Sequence, residues 1–356
     1  LDGNGISSAA LLDTATGRLR NLGSLNGDTC GGSGSIGSAS SYGWAVDDDG
    51  RNAVGTAYLD VDGDGYCEHS SKPEILPFLW TEKGGLRTLD TSGHDFEVEG
   101  WMRAHAISGD GRVALGGTNM SNAQAWIDGG PRIDLWKKFG AIDAYAVNRD
   151  GTRVAMDTLR PVQVTTDGYT YTAWYNNGVG VWNAKTGAMS KLPALQWCKD
   201  LAIPPYYDWL TGALVDPCAT SDQATVDASF GLVPVTLFDM NDDGSVMIGR
   251  MGSFWTAGFQ GMMWVDGLGW IKLGDFFRKQ GVAEAYKLGM ENPLSINGAG
   301  NEMVGGLVGV SMTWYVDMKQ VFVCQNGQSV QAGFPGAAVA KVKAGARLGR
   351  CEHLNG

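Results

Sequence analysis

An eleven-residue pattern recurs five times along the chain and limits its fold more than any other feature. It reads AVDDDGRNAVG from Ala45, AISGDGRVALG from Ala106, AVNRDGTRVAM from Ala146, DMNDDGSVMIG from Asp239 and SINGAGNEMVG from Ser295. Each copy has a short apolar start, a polar turn and a second apolar strand, with one glycine at a fixed offset: Gly50, Gly111, Gly151, Gly244 and Gly300. Glycine tolerates the positive φ of a tight turn, so a glycine held at one offset sets the register of a hairpin. The residues three and four places on are apolar in every copy, from Ala53 and Val54 to Met303 and Val304. Neighbouring residues of a strand point to opposite faces, so this strand is expected to be buried on both.

A second hairpin motif alternates with the first: an apolar or aromatic strand, a glycine turn and a strand ending in leucine. Its copies run Ala10 to Leu22, Phe78 to Leu89, Ala125 to Leu135, Val181 to Leu192 and Met263 to Leu273, with Thr313-Trp314-Tyr315-Val316 as a degenerate sixth. Two hairpins per unit make a four-stranded blade, and blades buried on both faces describe an all-β chain folded as a β-propeller. Six copies of the second motif predict six blades, with seven as the alternative. The expected propeller spans residues 1–324, with an insertion at 193–237 standing off one face and a tail at 325–356 packed on the body. Phe276 to Gly281 reads as a short helix with a glycine cap.

The alternation of Ala-x-Asn/Asp-x-x-Gly-x-x-Val-x-Gly with Ala-Phe-x-Trp-x-x-x-Gly-Gly-x-x-x-Leu resembles the bacterial extracellular HAF repeats. The stretch from Leu19 to Gly27 and on to Trp44-Ala45-Val46 is similar to that family's link between units. The likeness covers about residues 10 to 318. Met156 replaces a closing glycine, Asp239 replaces an alanine, and cysteine-bearing insertions interrupt the units. The resemblance implies a secreted or cell-surface propeller-like module with no general activity attached.

The chain has 356 residues with 53 glycines, 18% charged residues and a net charge of −11. That composition excludes a disordered chain, a coiled coil and a collagen. No apolar run approaches the ~20 residues of a membrane helix, and the negative charge disfavours nucleic acid and anionic lipid as partners. Six cysteines, Cys30, Cys67, Cys198, Cys218, Cys324 and Cys351, lack zinc spacing and are expected to form disulfides in an oxidising compartment. Chain order favours Cys198 with Cys218, Cys324 with Cys351 and Cys30 with Cys67. No signal peptide opens the chain, so a processed or trimmed N-terminus is expected.

Three places could carry chemistry. Asp60, Asp62 and Asp64, with Gly65 and the Tyr66 carbonyl, match the start of a calcium loop, although Ser71 stands where a bidentate glutamate belongs. The acids around Asp239 share that spacing but belong to a repeat turn. Trp101, Trp136, Trp197, Trp209 and Trp270 fall outside the repeat, and Tyr206, Tyr207 and Trp209 in the insertion form the expected ligand-binding surface; Trp80, Trp126, Trp182 and Trp264 share one repeat position and read as packing. The GSGSIG stretch at Gly32 has no helix behind it to receive a phosphate. The four histidines show no metal motif, no serine sits in a nucleophile elbow, and no Asp-box is present. The expected function is a non-enzymatic binding or assembly module without a catalytic residue. The alternatives are self-association as a subunit of an extracellular filament, recognition of a surface polysaccharide, or a secreted hydrolase using carboxylates from distant blades.

Overall fold

The computed structural model describes residues 8–25, 41–61, 74–119, 122–166, 168–195, 206–207, 214–215, 235–251, 260–279, 292–307, 310–317, 322–325 and 328–331. Among the described residues, strands β1 (Ala10–Asp13) and β2 (Arg18–Asn21) form a two-stranded sheet of their own. The first four-stranded sheet follows, in the order β3 (Ser41–Val46), β4 (Asn52–Tyr58), β5 (Ile75–Thr81) and β6 (Gly85–Thr88). Helix α1 (Phe96–Glu99) leads into the second, β7 (Met102–Ile107), β8 (Val113–Thr118), β9 (Ala123–Ile127) and β10 (Arg132–Asp134). After α2 (Leu135–Phe139) comes the third, β11 (Ala141–Val147), β12 (Val154–Thr166), β13 (Tyr169–Trp182) and β14 (Met189–Lys191). Two-residue strands β15 (Tyr206–Tyr207) and β16 (Leu214–Val215) pair within the insertion. The fourth sheet holds β17 (Val235–Met240), β18 (Val246–Met251), β19 (Gln260–Val265) and β20 (Gly269–Lys272), followed by α3 (Leu273–Lys279). The fifth has three strands, β21 (Asn292–Ile296), β22 (Glu302–Leu307) and β23 (Val310–Asp317). A last hairpin joins β24 (Phe322–Gln325) and β25 (Gln328–Gln331).

Among the described residues this is a β-propeller-like fold with five blade sheets, which corrects the six or seven expected. A blade needs both hairpin types, and the first type occurs five times. Among the described residues, the second-type hairpin at Ala10 to Leu22 pairs with no first-type hairpin and forms a two-stranded sheet. Thr313 to Val316 lies on the third strand of the fifth sheet, the place that the second motif takes in the other four, so five of its six copies complete the five sheets. The expected disulfide staples are not found among the described residues, none of which is joined by a disulfide. Cys30, Cys67, Cys198, Cys218 and Cys351 lie outside those residues, and Cys324 is described by its backbone alone.

The repeat turns show why the pattern is kept. In every copy the third residue caps the turn: Asp47 Oδ1 accepts from the amides of Arg51 and Asn52, Ser108 Oγ from Arg112 and Val113, Asn148 Oδ1 from Arg153, Asn241 Oδ1 from Val246, and Asn297 Oδ1 from Asn301 and Glu302. The shared glycine lies at φ +67° to +74° in all five, a region that disfavours a Cβ. Turns also join one another. The Asp48 amide donates to the Gly109 carbonyl, Asp110 to Arg149, and Asp242 to Gly298, each bond running from one repeat to the next.

The first strand of four of the sheets carries a bulge immediately before the repeat begins. Register shifts fall between Gly43 and Ala45, Ala104 and Ala106, Leu237 and Asp239, and Pro293 and Ser295. The repeat's closing glycine sits opposite the bend: Gly55 faces Gly43, Gly116 faces Ala104, Gly249 faces Leu237 and Gly305 faces Pro293. A Cβ there would collide with the backbone carbonyl of Tyr42, Arg103, Thr236 or Asn292. The closing glycine therefore makes room for the bulged strand.

The chain divides into two compact units, Leu1–Met156 with Trp182–Ala188 and Asp157–Val181 with Met189–Gly356. In the first, Trp126, Val54, Leu79, Leu89 and Met102 form one buried cluster, and Phe78, Trp80, Ala53 and Leu22 another. In the second, Ile248, Met263, Phe277, Met303 and Trp314 pack together. Trp80, Trp126, Trp182 and Trp264 are buried, as their common repeat position requires. Among the described residues, no helix is long and apolar enough to cross a membrane.

Candidate functional site

A bulge re-aims the side chain at its apex, and the apex residues differ from copy to copy while the repeat around them does not. They are Trp44, His105 and Phe238 on β3, β7 and β17, with Leu294 on β21; Tyr145 holds the equivalent position on β11. Two residues earlier on the same strands stand Tyr42, Arg103, Asp143, Thr236 and Asn292. In the first unit these two positions bring together an aromatic cleft and a polar cluster behind it.

The cleft has a volume of about 410 Å³ and is lined by Tyr42, Trp44, Thr56, Tyr58, Ile75, Trp101 and Arg103. Trp44 is 55% exposed, yet its orientation is held by a 3.1 Å hydrogen bond from Nε1 to Thr56 Oγ1. Tyr42 and Tyr58 meet edge to face at 5.9 Å. The Arg103 guanidinium lies 5.1 Å from the Trp101 ring centre and 5.9 Å from that of Trp44, so one cation serves two indoles. Its Nη2 donates to Tyr145 Oη at 3.3 Å, and its buried Nε has no hydrogen-bond partner.

Behind Arg103, Tyr145 donates to the Asp143 carboxylate, and its ring lies 4.2 Å from the His105 imidazole at a tilt of 31°. His105 Nε2 is 3.0 Å from the Ala144 carbonyl, which can only accept, so the proton sits on Nε2 and the buried Nδ1 keeps an unpartnered lone pair. Burial pushes His105 down to about 4, with the Arg103 charge adding to the effect. Burial likewise pushes Asp143 up to about 6, and burial together with Asp143 pushes Tyr145 up to about 12.

These two shifts act on stability in opposite senses. Between pH 4 and 6 folded Asp143 keeps a proton that its unfolded form has lost, so its contribution falls as pH rises. Over nearly the same window folded His105 lacks a proton that its unfolded form carries, so its contribution rises with pH. The pair is expected to leave stability nearly level from pH 4 to 6. His105→Gln should expose a fall of roughly 2–3 kcal/mol as pH rises across that window, and Asp143→Asn a rise of similar size. Urea midpoints measured at half-unit pH steps check this; parallel curves for both variants and the parent would refute it.

A second cleft, of about 280 Å³, is lined by Arg112, Val113, Ile127, Asp150, Gly151, Ala184 and Lys185. Its charges already have partners: Arg112 forks onto Asp128 with two 2.8 Å bonds, and Lys185 pairs with Asp150 at 3.7 Å. His94 is also spoken for, between Glu99 and the Gly100 carbonyl.

The residues singled out from the sequence fare unequally. Trp101 lines the cleft, whereas Trp270 is spent on the Pro193 carbonyl and on Trp264. Of the calcium loop, Asp60 is half-buried just beyond β4, while Asp62, Asp64 and Tyr66 lie outside the described residues. Among the described residues there is no group of three acidic, histidine or cysteine side chains suited to a metal. Tyr206 and Tyr207 are described by backbone only, in β15, and Trp209 lies outside the described residues. Trp44, Arg103, Asp143 and Tyr145 went unread; the signal available was their place just ahead of the repeat, where the copies stop agreeing.

No family model and no curated protein matches the chain. The HAF likeness therefore reduces to the coarser statement of a β-propeller-like fold. Among solved structures the chain is similar to a putative TolB from Agrobacterium tumefaciens, at 11% identity and TM-score 0.40, over 77% of this chain and 75% of that one. It is also similar to an oligogalacturonate lyase in complex with manganese, at 12% identity and TM-score 0.45, over 86% and 70%. Kuenenia stuttgartiensis hydrazine synthase is similar at 11% identity and TM-score 0.36, over 79% and 71%. Likenesses this distant bear on neither ligand nor activity.

Proposed function

We propose that the protein is a secreted or cell-surface, non-enzymatic binding module that holds an oligosaccharide in the cleft of Tyr42, Trp44, Tyr58, Trp101 and Arg103. The observation that carries this reading is the convergence of four aromatic side chains on one open cleft, with an indole half exposed and yet hydrogen-bonded in place. Indole and phenol rings offer rigid apolar faces to the C–H side of a pyranose, and Thr56 and Arg103 offer polar groups to its hydroxyls. None of the described residues lining the cleft is a carboxylate, whereas glycosidic hydrolysis takes a pair of them. Binding is expected to quench tryptophan fluorescence when hexasaccharides are titrated in, and Trp44→Ala should weaken it about tenfold or more while leaving the melting temperature in place. Unchanged affinity in Trp44→Ala would remove the cleft from the reading. Calcium held by Asp60, Asp62, Asp64 and Tyr66, and ligand contact by Tyr206, Tyr207 and Trp209, remain parts of this proposal.

One observation favours the assembly reading. Strands β12 and β13 run 13 and 14 residues, about twice the length of other blade strands, and Tyr169, Tyr171 and Trp174 on β13 are 80%, 53% and 50% exposed. Aromatic side chains left open on a long hairpin suit contact with another surface. If they mediate self-association, light scattering at rising concentration will show growth that Tyr169→Ser with Tyr171→Ser abolishes; a concentration-independent mass would dismiss this reading.

A further inference from the structure

The cleft holds more chemical information than its aromatic walls. Arg103 is the charged residue among its described lining residues. It comes from the second position before the β7 bulge apex, and the closing Gly116 lets that strand come close. Its guanidinium is held from behind by Tyr145 and flanked by Trp101 and Trp44, so its plane is fixed before any ligand arrives. A guanidinium carries five N–H donors. One nitrogen, Nη2, is committed to a neutral phenol at 3.3 Å, and Nε is buried with no acceptor at all. These two nitrogens are turned inward, so what Arg103 offers the cleft is the rest of its guanidinium, a fixed planar cation best met by a carboxylate.

We propose that the ligand of this cleft is an acidic sugar chain, one whose uronic-type carboxylate is received by Arg103 while its rings lie against Trp44, Trp101, Tyr42 and Tyr58. This deepens the oligosaccharide reading above and rests on it. Four aromatic walls around the cation favour a pyranose carrier over a peptide carboxylate, which would place a flexible backbone with unmet amide donors against them. The chain's net charge of −11 sharpens the selection. Acidic polymers are repelled from most of such a surface, so the one cation in the cleft decides where they can dock.

Two probes that differ only at C6 test this: cellohexaose, and the corresponding hexamer of β-1,4-glucuronic acid. Both are titrated calorimetrically into the full chain at pH 7.5 and 0.1 M salt, with the parent, Arg103→Lys and Arg103→Met. The parent is expected to bind the acidic hexamer at least tenfold more tightly than the neutral one, the gain of a charge-assisted pair. Arg103→Met should bring that ratio to one or below, and Arg103→Lys, which keeps the charge but loses the fork, to an intermediate value. Equal binding of both hexamers by the parent overturns the acidic-sugar assignment and leaves the oligosaccharide reading standing. A preference that survives Arg103→Met also overturns it, since the anion is then held elsewhere. Binding of neither hexamer brings down both readings. Should Arg103→Met fail to give the parent's circular dichroism, the ratio in Arg103→Lys decides, because an unaltered preference there rules out recognition by the fork.

Discussion

Replacing Trp126 by alanine is expected to cost about 3–5 kcal/mol, the range for deleting a fully buried large aromatic side chain. Trp126 has no exposed surface and packs with Val54 and Leu79 from the first sheet and Met102, Ala104 and Ala114 from the second. Its Nε1 donates to the Asp90 carbonyl at 2.8 Å, a part-buried bond that is lost as well. Domains hold only about 5–15 kcal/mol of stability in total, so one truncation would remove a large share. The urea midpoint should fall at unchanged slope. Trp44→Ala, at a half-exposed position, serves as the contrast and should stay within about 0.5 kcal/mol of the parent. A loss below about 1 kcal/mol for Trp126→Ala would mean the two sheets do not depend on this contact.

Gly116→Ala is also expected to be damaging, although it adds a single methyl group. Its Cβ would overlap the Arg103 carbonyl and press on the Trp126 ring, and a backbone atom cannot step aside as a flexible side chain can. Forcing atoms into a packed interior costs roughly 1–3 kcal/mol. Here relief requires β7 to move away from β8, which also displaces Arg103 from the cleft. The variant should therefore lose stability and ligand affinity together. Gly17, where an added Cβ meets nothing within 4 Å, separates the two effects: Gly17→Ala carries only the cost of its positive φ, about 1 kcal/mol or less. Equal melting temperatures for Gly116→Ala and the parent would refute the account of the closing glycine.

The sequence made the hairpins legible because their determinants are local. A capping side chain, a positive-φ glycine and a paired apolar step occupy adjacent residues, as in Asp47 to Val54, and nothing distant is needed to see them. The shared tryptophans were legible for the same reason. Blade number was not, because it depends on which hairpins join. Ala10 to Leu22 reads like Phe78 to Leu89, and only pairing shows that one stays alone while the other completes a sheet. The cleft was legible only in part. Trp101 stood out as a tryptophan off the repeat, but a bulge is a relation between two strands, so the turning of Trp44 and His105 has no single-strand signature. Asp143 and Tyr145 join Arg103 across 40 and 42 positions, which no local pattern records.

The bonds from Asp48 to Gly109, from Asp110 to Arg149 and from Asp242 to Gly298 make the second, third and fifth corners each finish the hydrogen bonding of the corner before it. A lone copy of the motif excised from the chain would carry an open amide at its rim and have no neighbour to answer it. Evolution by duplication thus arrives with its adhesive already in place at these three joins, where the added copy supplies the acceptor that the previous one was missing. Loss of a copy from the middle leaves a join of like with like, while loss from the end exposes a donor. Internal deletions should accordingly be better tolerated than truncations among proteins built in this manner.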